Sequence, residues 1–228
     1  MEKQERYSLL VQKRKTCRLC TGLTNPAHQT CSRYDSDQIG PWSRWQGSLD
    51  ADILVVGQDW GDTSYFNDWQ GRDQASGNPT NENLQELLLH IGVHVGKPRE
   101  TQPQVVFFTN LILCLKEGGL QSPADKEWFT NCSQAFFKPL VELISPKVVL
   151  ALGKKTSHSI LDVYGVPHKK TARLLDLMKK SPYRLSVTTV LFPLYHCGAN
   201  GVKRNRRLID QKSDWAKIAE WLGTSEKR

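Results

Sequence analysis

Three polar side chains that could act together in one reaction each follow an apolar segment of the sequence; they are Asp59, Asn110 and His196. A carboxylate can orient a water molecule or stabilise a cation that develops opposite it. An amide carries a donor and an acceptor, so it can satisfy a pyrimidine edge that presents N–H beside C=O. An imidazole can donate a hydrogen bond to an anionic leaving group. Each residue type also has an ordinary structural role, such as an Asx turn for Asp59, so the interpretation depends on whether the fold brings the three together.

A basic loop follows His196 and could contact a phosphate backbone. Its cations are Lys203, Arg204, Arg206 and Arg207. Residues 165–184 contain six further lysines and arginines against one acidic residue, Asp176. An ordinary solvated surface would explain the basic composition of either stretch about as well as a phosphate contact would. The 228-residue chain nevertheless has a formal net charge of +8, which favours a polyanionic partner such as nucleic acid.

The six cysteines indicate metal binding more than disulfide bonding, because the chain is long, its cysteine density is low and it has no export signal. Cys17 and Cys20 form a C-x-x-C pair, whose spacing lets two sulfurs turn toward one metal. A thioredoxin-like redox role would need a strand before the pair, and the preceding basic run offers none. Cys114 and Cys132 are candidates for the remaining ligands, although their separation matches no common zinc-finger spacing. The residues themselves leave zinc and iron–sulfur equally open.

Alternating strands and helices must position these side chains. Continuous apolar runs predict four strands buried on both faces, at 52–57, 105–109, 147–153 and 189–193. The helices expected from apolar residues at helical spacing lie at 80–92, from Ser122 to about Leu143, and around Trp215. This order predicts an α/β fold, a three-layer α/β/α arrangement with a central, mainly parallel four-stranded sheet. Since function gathers at the carboxyl ends of such strands, we expect the three polar residues to converge on one rim.

The sequence also bears on where the protein works. No run of apolar residues is long enough to span a membrane, and the N-terminus does not resemble a secretory signal. We therefore expect an intracellular protein, in the cytoplasm or nucleoid if it is bacterial. We expect it to act as a monomer.

Four segments and the cysteine spacing together carry a resemblance to a known family. The segments are DILVVGQD at 52–59, FFTNLILC at 107–114, PKVVLALG at 146–153 and FPLYH at 192–196. With the C-x-x-C pair, they resemble the uracil-DNA glycosylase superfamily, and most closely its branch with a 4Fe–4S cluster. The similarity covers roughly residues 14–222. Its most specific feature is the placement of Asn110 and Cys114 on one segment.

The resemblance implies a monofunctional DNA glycosylase of base excision repair, which flips uracil out of DNA and hydrolyses its N-glycosidic bond. It implies that Gly57, Gln58 and Asp59 form the first motif, with Asp59 as the catalytic acid. Asn110 would read the uracil edge. His196 would open the loop that enters the DNA and would hydrogen-bond the departing uracil anion.

The resemblance also implies a cofactor. The four family cysteines that hold the cluster correspond to Cys17, Cys20, Cys114 and Cys132, and this selects iron–sulfur over zinc. The cluster would be a structural staple that ties the N-terminal segment 1–50 to a single domain spanning residues 1–228. Cys31 and Cys197 receive no ligand role.

The chain departs from that branch at three places. Gly-Gln-Asp-Trp-Gly at 57–61 stands where the branch usually has Gly-Glu-Ala-Pro-Gly, so Trp60 reshapes the turn after Asp59. Cys197 follows His196 in place of proline. The aromatic residue that stacks on the base is not marked by a motif, and among the candidates Tyr65, Phe66 and Trp69 we predict Phe66.

Three alternatives therefore stay open. No residue obviously excludes thymine, so the partner could be DNA that contains another deaminated base, such as hypoxanthine. The altered motifs also allow a protein that binds uracil-DNA or damaged DNA with little or no turnover. A zinc-stapled nucleic-acid-binding module is the third possibility.

Overall fold

The structure is a computed structural model that describes residues 2–40, 45–72, 77–96, 105–119 and 122–225. Its strands are β1 (Leu23–Thr24), β2 (Ile53–Gly57), β3 (Val106–Asn110), β4 (Leu115–Lys116), β5 (Val148–Leu152), β6 (Tyr183–Arg184) and β7 (Val190–Leu194). Its helices are α1 (Lys3–Thr16), α2 (Thr63–Asp68), α3 (Pro79–His90), α4 (Lys126–Cys132), α5 (Lys138–Ile144), α6 (Lys154–Val163), α7 (Leu174–Lys179) and α8 (Leu208–Ser225).

A five-stranded sheet in the order β3-β2-β5-β7-β6 forms the centre of the protein. The first four strands in that order are parallel, and each of their residues is buried, as the continuous apolar runs predict. The fifth strand, β6, is an addition to the predicted four. It pairs antiparallel with β7 over two residue pairs, which is too short to give a periodic signal in the sequence. The structure thus confirms the α/β fold with a mostly parallel central sheet flanked by helices.

Alternate residues along β2 face two separate apolar cores. Leu54 and Val56 pack in a core with α1, α4, α5 and α6. Ile53 and Val55 pack in a second core with α3 and α8. Because helices cover both faces of the sheet, its polar chemistry is left to the strand ends.

The helix predicted from Ser122 begins later, at Lys126, with Asp125 before its first turn. The Ser122 hydroxyl instead donates to the Gly119 carbonyl at 2.8 Å, which closes a turn. The helical path then widens into a π-helical segment, Ser133–Phe137, before α5. Pro139 explains the change, because it has no N–H to donate to the Ala135 carbonyl, and Lys13 Nζ donates to that carbonyl at 3.4 Å.

The N-terminal segment packs directly on the sheet layer. Tyr7 and Val11 of α1 lie in the first core, and Arg14 is buried with its guanidinium 2.7 Å from Asp35 Oδ1. Strand β1 pairs antiparallel with β4, so the N-terminal segment also reaches the loop after β3. In the described part of the chain, no helix combines the length and apolarity needed to cross a membrane.

Candidate functional site

The carboxyl ends of the parallel strands open into a cavity of about 650 Å³, here called the rim cavity. Residues that line it include Gly57, Gln58, Asp59, Asn110 and His196. The structure therefore brings together all but one of the residues predicted to form the base site. The exception is Phe66.

Backbone pairing sets the positions of the first two motifs. Gly57 and Asn110 are register partners at the ends of β2 and β3. Beyond the strands, Leu111 N donates to Gly57 O and Ile112 N donates to Gln58 O, each at 2.9 Å. The two segments leave the sheet side by side, and this places the buried Asn110 next to the first motif.

The Asp59 carboxylate is held at both of its oxygens. Gln58 Nε2 donates to Oδ2 at 2.7 Å, and Lys116 Nζ lies 3.4 Å from Oδ1. The local turn role considered for Asp59 is filled by Asp62 instead. The Asp62 Oδ1 accepts from Tyr65 N at 2.7 Å and caps α2. Asp59 is thus a buried carboxylate, 8% exposed, that lines the rim cavity.

Burial and a local hydrogen bond define the state of His196. Burial lowers the pKa of the ring below its ordinary value of 6.5, and the nearby Asp59 opposes this only in part. Gly198 N–H donates to His196 Nδ1 at 3.0 Å, so the neutral ring carries its proton on Nε2. A side chain at Gly198 would collide with the ring, because its Cβ would lie 2.9 Å from His196 Cε1. The site therefore offers a neutral imidazole with one N–H donor.

Cys197, which stands in place of proline, anchors the histidine loop to α3. It is fully buried, its Sγ donates to Thr80 O at 3.5 Å, and its carbonyl accepts from Asn83 Nδ2 at 2.6 Å. Burial raises the pKa of the Cys197 thiol to about 12, so the thiol stays neutral. These contacts indicate a structural role for this cysteine.

The aromatic wall of the rim cavity differs from the prediction. Phe66 is buried against Leu115 and Trp60, and the backbone of Gly71 closes over its ring, since a Cβ at Gly71 would lie 2.8 Å from Phe66 Cζ. Among the described residues that line the cavity, the aromatic ones are Trp60 and Tyr65, with ring centroids 4.8 Å apart. The short helix α2 turns Phe66 toward the core. The position of Trp60 immediately after Asp59 is the sequence signal that could have identified it.

Lys116 is the residue of the site that the sequence reasoning missed. It lines the rim cavity although it is only 2% exposed. The signal was weak, because Lys116 stands two residues after Cys114 in a segment that matches no motif. Lys154 and Lys155, at the start of α6, add further positive charge to the cavity wall.

The basic loop after His196 borders the rim cavity through Gly201 and Asn205. Lys203 and Arg204 are exposed in its π-helical segment, Gly201–Asn205. The two other cations predicted to contact DNA, Arg206 and Arg207, form ion pairs with carboxylates of α8. Arg206 makes a bidentate pair with Asp214, at 2.5 and 2.8 Å, and Arg207 pairs with Asp210. In the second basic stretch, Lys170 pairs with Asp162 and Arg173 pairs with Asp176.

Cys17, Cys20, Cys114 and Cys132 line a second cavity of about 230 Å³, here called the thiol cavity. The neighbouring Cys132 thiol lowers the pKa of Cys20 to about 6, whereas burial raises the pKa of Cys114 to about 12. Asn131 Nδ2 also contacts Cys20 Sγ, at 3.5 Å. Within the described ranges, no three His, Cys, Asp or Glu side chains are arranged to hold one metal ion. The side chain of Cys31 lies outside the described part of the structure.

The family model for the Uracil DNA glycosylase superfamily matches residues 45–222. This range contains the central sheet and every predicted residue of the rim cavity, and it excludes Cys17 and Cys20. No curated protein matches the chain.

Proposed function

Because the chain belongs to the uracil DNA glycosylase superfamily, whose members are generally DNA glycosylases, we propose that it is a monofunctional glycosylase that removes uracil from DNA. The observation that carries the proposal is the convergence of Asp59, Asn110 and His196 on one cavity at the carboxyl ends of the sheet. These residues come from three separate strand ends, so their convergence is a property of the fold and not of one local turn.

Recognition of the base is assigned to Asn110. Its amide can pair with the N–H and C=O of the uracil edge, and it is buried, so a base that fails to pair would leave its polar atoms unsatisfied. Trp60 and Tyr65 supply the aromatic surface against which a flipped base can stack, in place of Phe66.

Bond cleavage is assigned to Asp59 and His196. When the N-glycosidic bond breaks, positive charge develops on the sugar and negative charge on the departing base. The Asp59 carboxylate can stabilise the sugar cation and orient the attacking water. The neutral His196 ring can donate its Nε2–H to the uracil anion, and it needs no proton from solvent to do so.

The phosphate backbone is assigned to Lys203 and Arg204, which are exposed beside the rim cavity. Arg206 and Arg207 are already ion-paired with carboxylates of α8, so we assign them to holding the loop in place. This narrows the four predicted DNA contacts to two.

The thiol cavity is proposed to hold a structural 4Fe–4S cluster. Such a cluster attaches each cysteine to a different iron, so its four ligands surround a cavity. The four cysteines line one cavity, and this common lining supports the proposal. When bound, the cluster would cross-link the segment that follows α1 to α4 and to the loop after β3; it takes no part in base removal.

A panel of oligonucleotides tests the proposed function. DNA carrying uracil, hypoxanthine, xanthine or a thymine mismatch, single- and double-stranded, is incubated with the protein and then treated with alkali. We expect strand cleavage at uracil. Cleavage at hypoxanthine alone would change the assigned base, and retained uracil-DNA complexes without any cleavage would show a binding protein in place of an enzyme.

A further inference from the structure

A buried lysine lies in contact with the carboxylate of the proposed active site. Lys116 Nζ is 3.4 Å from Asp59 Oδ1 and donates to the Ser122 carbonyl at 3.1 Å. Its backbone is fixed to the same motif, because Lys116 N donates to Gly61 O at 3.2 Å. Both the main chain and the side chain of Lys116 are thus tied to the loop that carries Asp59.

The pairing of Lys116 and Asp59 follows from their burial. The two side chains are 2% and 8% exposed, and an isolated charge of either sign is strongly disfavoured at such a position. Gln58 occupies the second carboxylate oxygen, so the carboxylate is held at both ends by N–H donors.

The other charged groups around the cavity have different positions or states. His196 is held neutral by burial, Asp62 caps α2, and Lys154 and Lys155 stand at the start of α6. Lys155 Nζ donates to the Ala124 carbonyl at 3.3 Å. The described structure thus gives Asp59 one directly contacting cation, Lys116.

We infer that Lys116 is a positioning residue, whose contact with Oδ1 keeps the Asp59 carboxylate oriented toward the rim cavity. The inference rests on the proposed function, in which Asp59 acts as a carboxylate. It adds a residue that no sequence motif marks, and it gives the carboxylate a second fixed contact besides Gln58.

The test compares the single-turnover rate of base release and the DNA affinity of the wild type and of Lys116→Met. Loss of the contact at Oδ1 releases one end of the carboxylate, so we expect the rate to fall by about 10- to 100-fold while DNA affinity is kept. The control is Lys147→Met. This change breaks a half-exposed ion pair, in which Lys147 Nζ lies 3.1 Å from Asp52 Oδ2, at the end of β2 opposite to Asp59. That variant should keep the wild-type rate. A Lys116→Met rate equal to that of the wild type would overturn the inference.

A double-mutant cycle separates this role from a general loss of structure. If Lys116 acts through Asp59, Lys116→Met should change the residual rate of Asp59→Asn by less than about threefold. Equal rate losses in both backgrounds would overturn the inference. Covalent trapping of Lys116 on abasic DNA by borohydride would also overturn it, because a nucleophilic lysine must give up its ammonium.

The same four proteins give a readout that does not need activity. Coupling between the two substitutions in the free energy of unfolding is expected, because the two side chains are in direct contact. Additive effects on unfolding would overturn the inference even for an inactive protein. An inactive wild type with strong coupling would instead reject the proposed function while retaining the ion pair.

Discussion

Gly57 and Asn110 are paired in register at the carboxyl ends of two adjacent parallel strands. This pairing places the amide of Asn110 beside the loop that carries Asp59, although 50 residues separate the two motifs in sequence. The geometry of the rim cavity therefore depends on the central sheet.

Replacement of Asp59 should abolish most of the activity. Asp59→Asn keeps the shape and removes the charge, so we expect the single-turnover rate to fall by about 10²- to 10⁴-fold while DNA affinity is kept. The control is Asp52→Asn, a half-exposed carboxylate that precedes the same strand. Equal rates for Asp59→Asn and the wild type would remove Asp59 from the mechanism.

His196 should act as a neutral donor. We expect His196→Ala to lower the rate by about 10²- to 10³-fold at pH 7.5, through loss of a donor to the leaving group. A rate that is unaffected by the substitution would reject this role.

The buried state of His196 also predicts a pH dependence of stability. Its pKa is lowered in the folded protein, so the unfolded chain binds the proton more readily, and the free energy of unfolding should fall as the pH drops below 6.5. His158, whose pKa is also lowered by burial, adds to the same trend. Urea unfolding at several pH values should show a smaller fall in the free energy of unfolding for His196→Gln than for the wild type. The same dependence of this free energy on pH in both proteins would contradict the effect of burial on the His196 pKa.

Asn110 should determine the affinity of the site for uracil. Asn110→Asp replaces an N–H donor by an acceptor, so the affinity for free uracil, measured by product inhibition, should weaken by about 10- to 100-fold. Unchanged inhibition in Asn110→Asp would assign base recognition to another group.

The thiol cavity predicts a metal content that depends on particular cysteines. Cys114→Ser should lose most of its iron and inorganic sulfide and melt at a lower temperature than the wild type. Cys197→Ser is the matched control, because that cysteine is buried elsewhere and should leave the iron content unchanged. Colourless wild-type protein, purified without oxygen and carrying stoichiometric zinc, would contradict the cluster.

The basic loop should bind DNA through its exposed cations. Lys203→Ala with Arg204→Ala should weaken binding to any DNA sequence and reduce the slope of log affinity against log salt by about two. Arg206→Ala should mainly lower the melting temperature, since it breaks the pair with Asp214. A larger salt effect from Arg206 than from Lys203 and Arg204 would reverse this assignment.

The sequence predicted the sheet and most of the rim cavity because the four parallel strands are buried on both faces and their ends carry the polar motifs. It did not predict β6, which is only two residues long, or the start of the helix at Lys126, since the Ser122 hydroxyl closes a turn. Phe66 and Lys116 depend on packing between segments distant in sequence, and local patterns carry no signal for such contacts. The pairing of Arg206 with Asp214 links the basic loop to α8 across 8 residues, a spacing that no local pattern marks.

Release of free uracil from uracil-containing DNA is the most direct test of the account. Wild-type protein is mixed in excess with labelled duplex or single-stranded DNA, and the free base and the abasic site are quantified over time. We predict that both products form in equal amounts, at a rate that falls steeply in Asp59→Asn. DNA that is bound but releases no base would contradict the assignment of this protein as a uracil-DNA glycosylase.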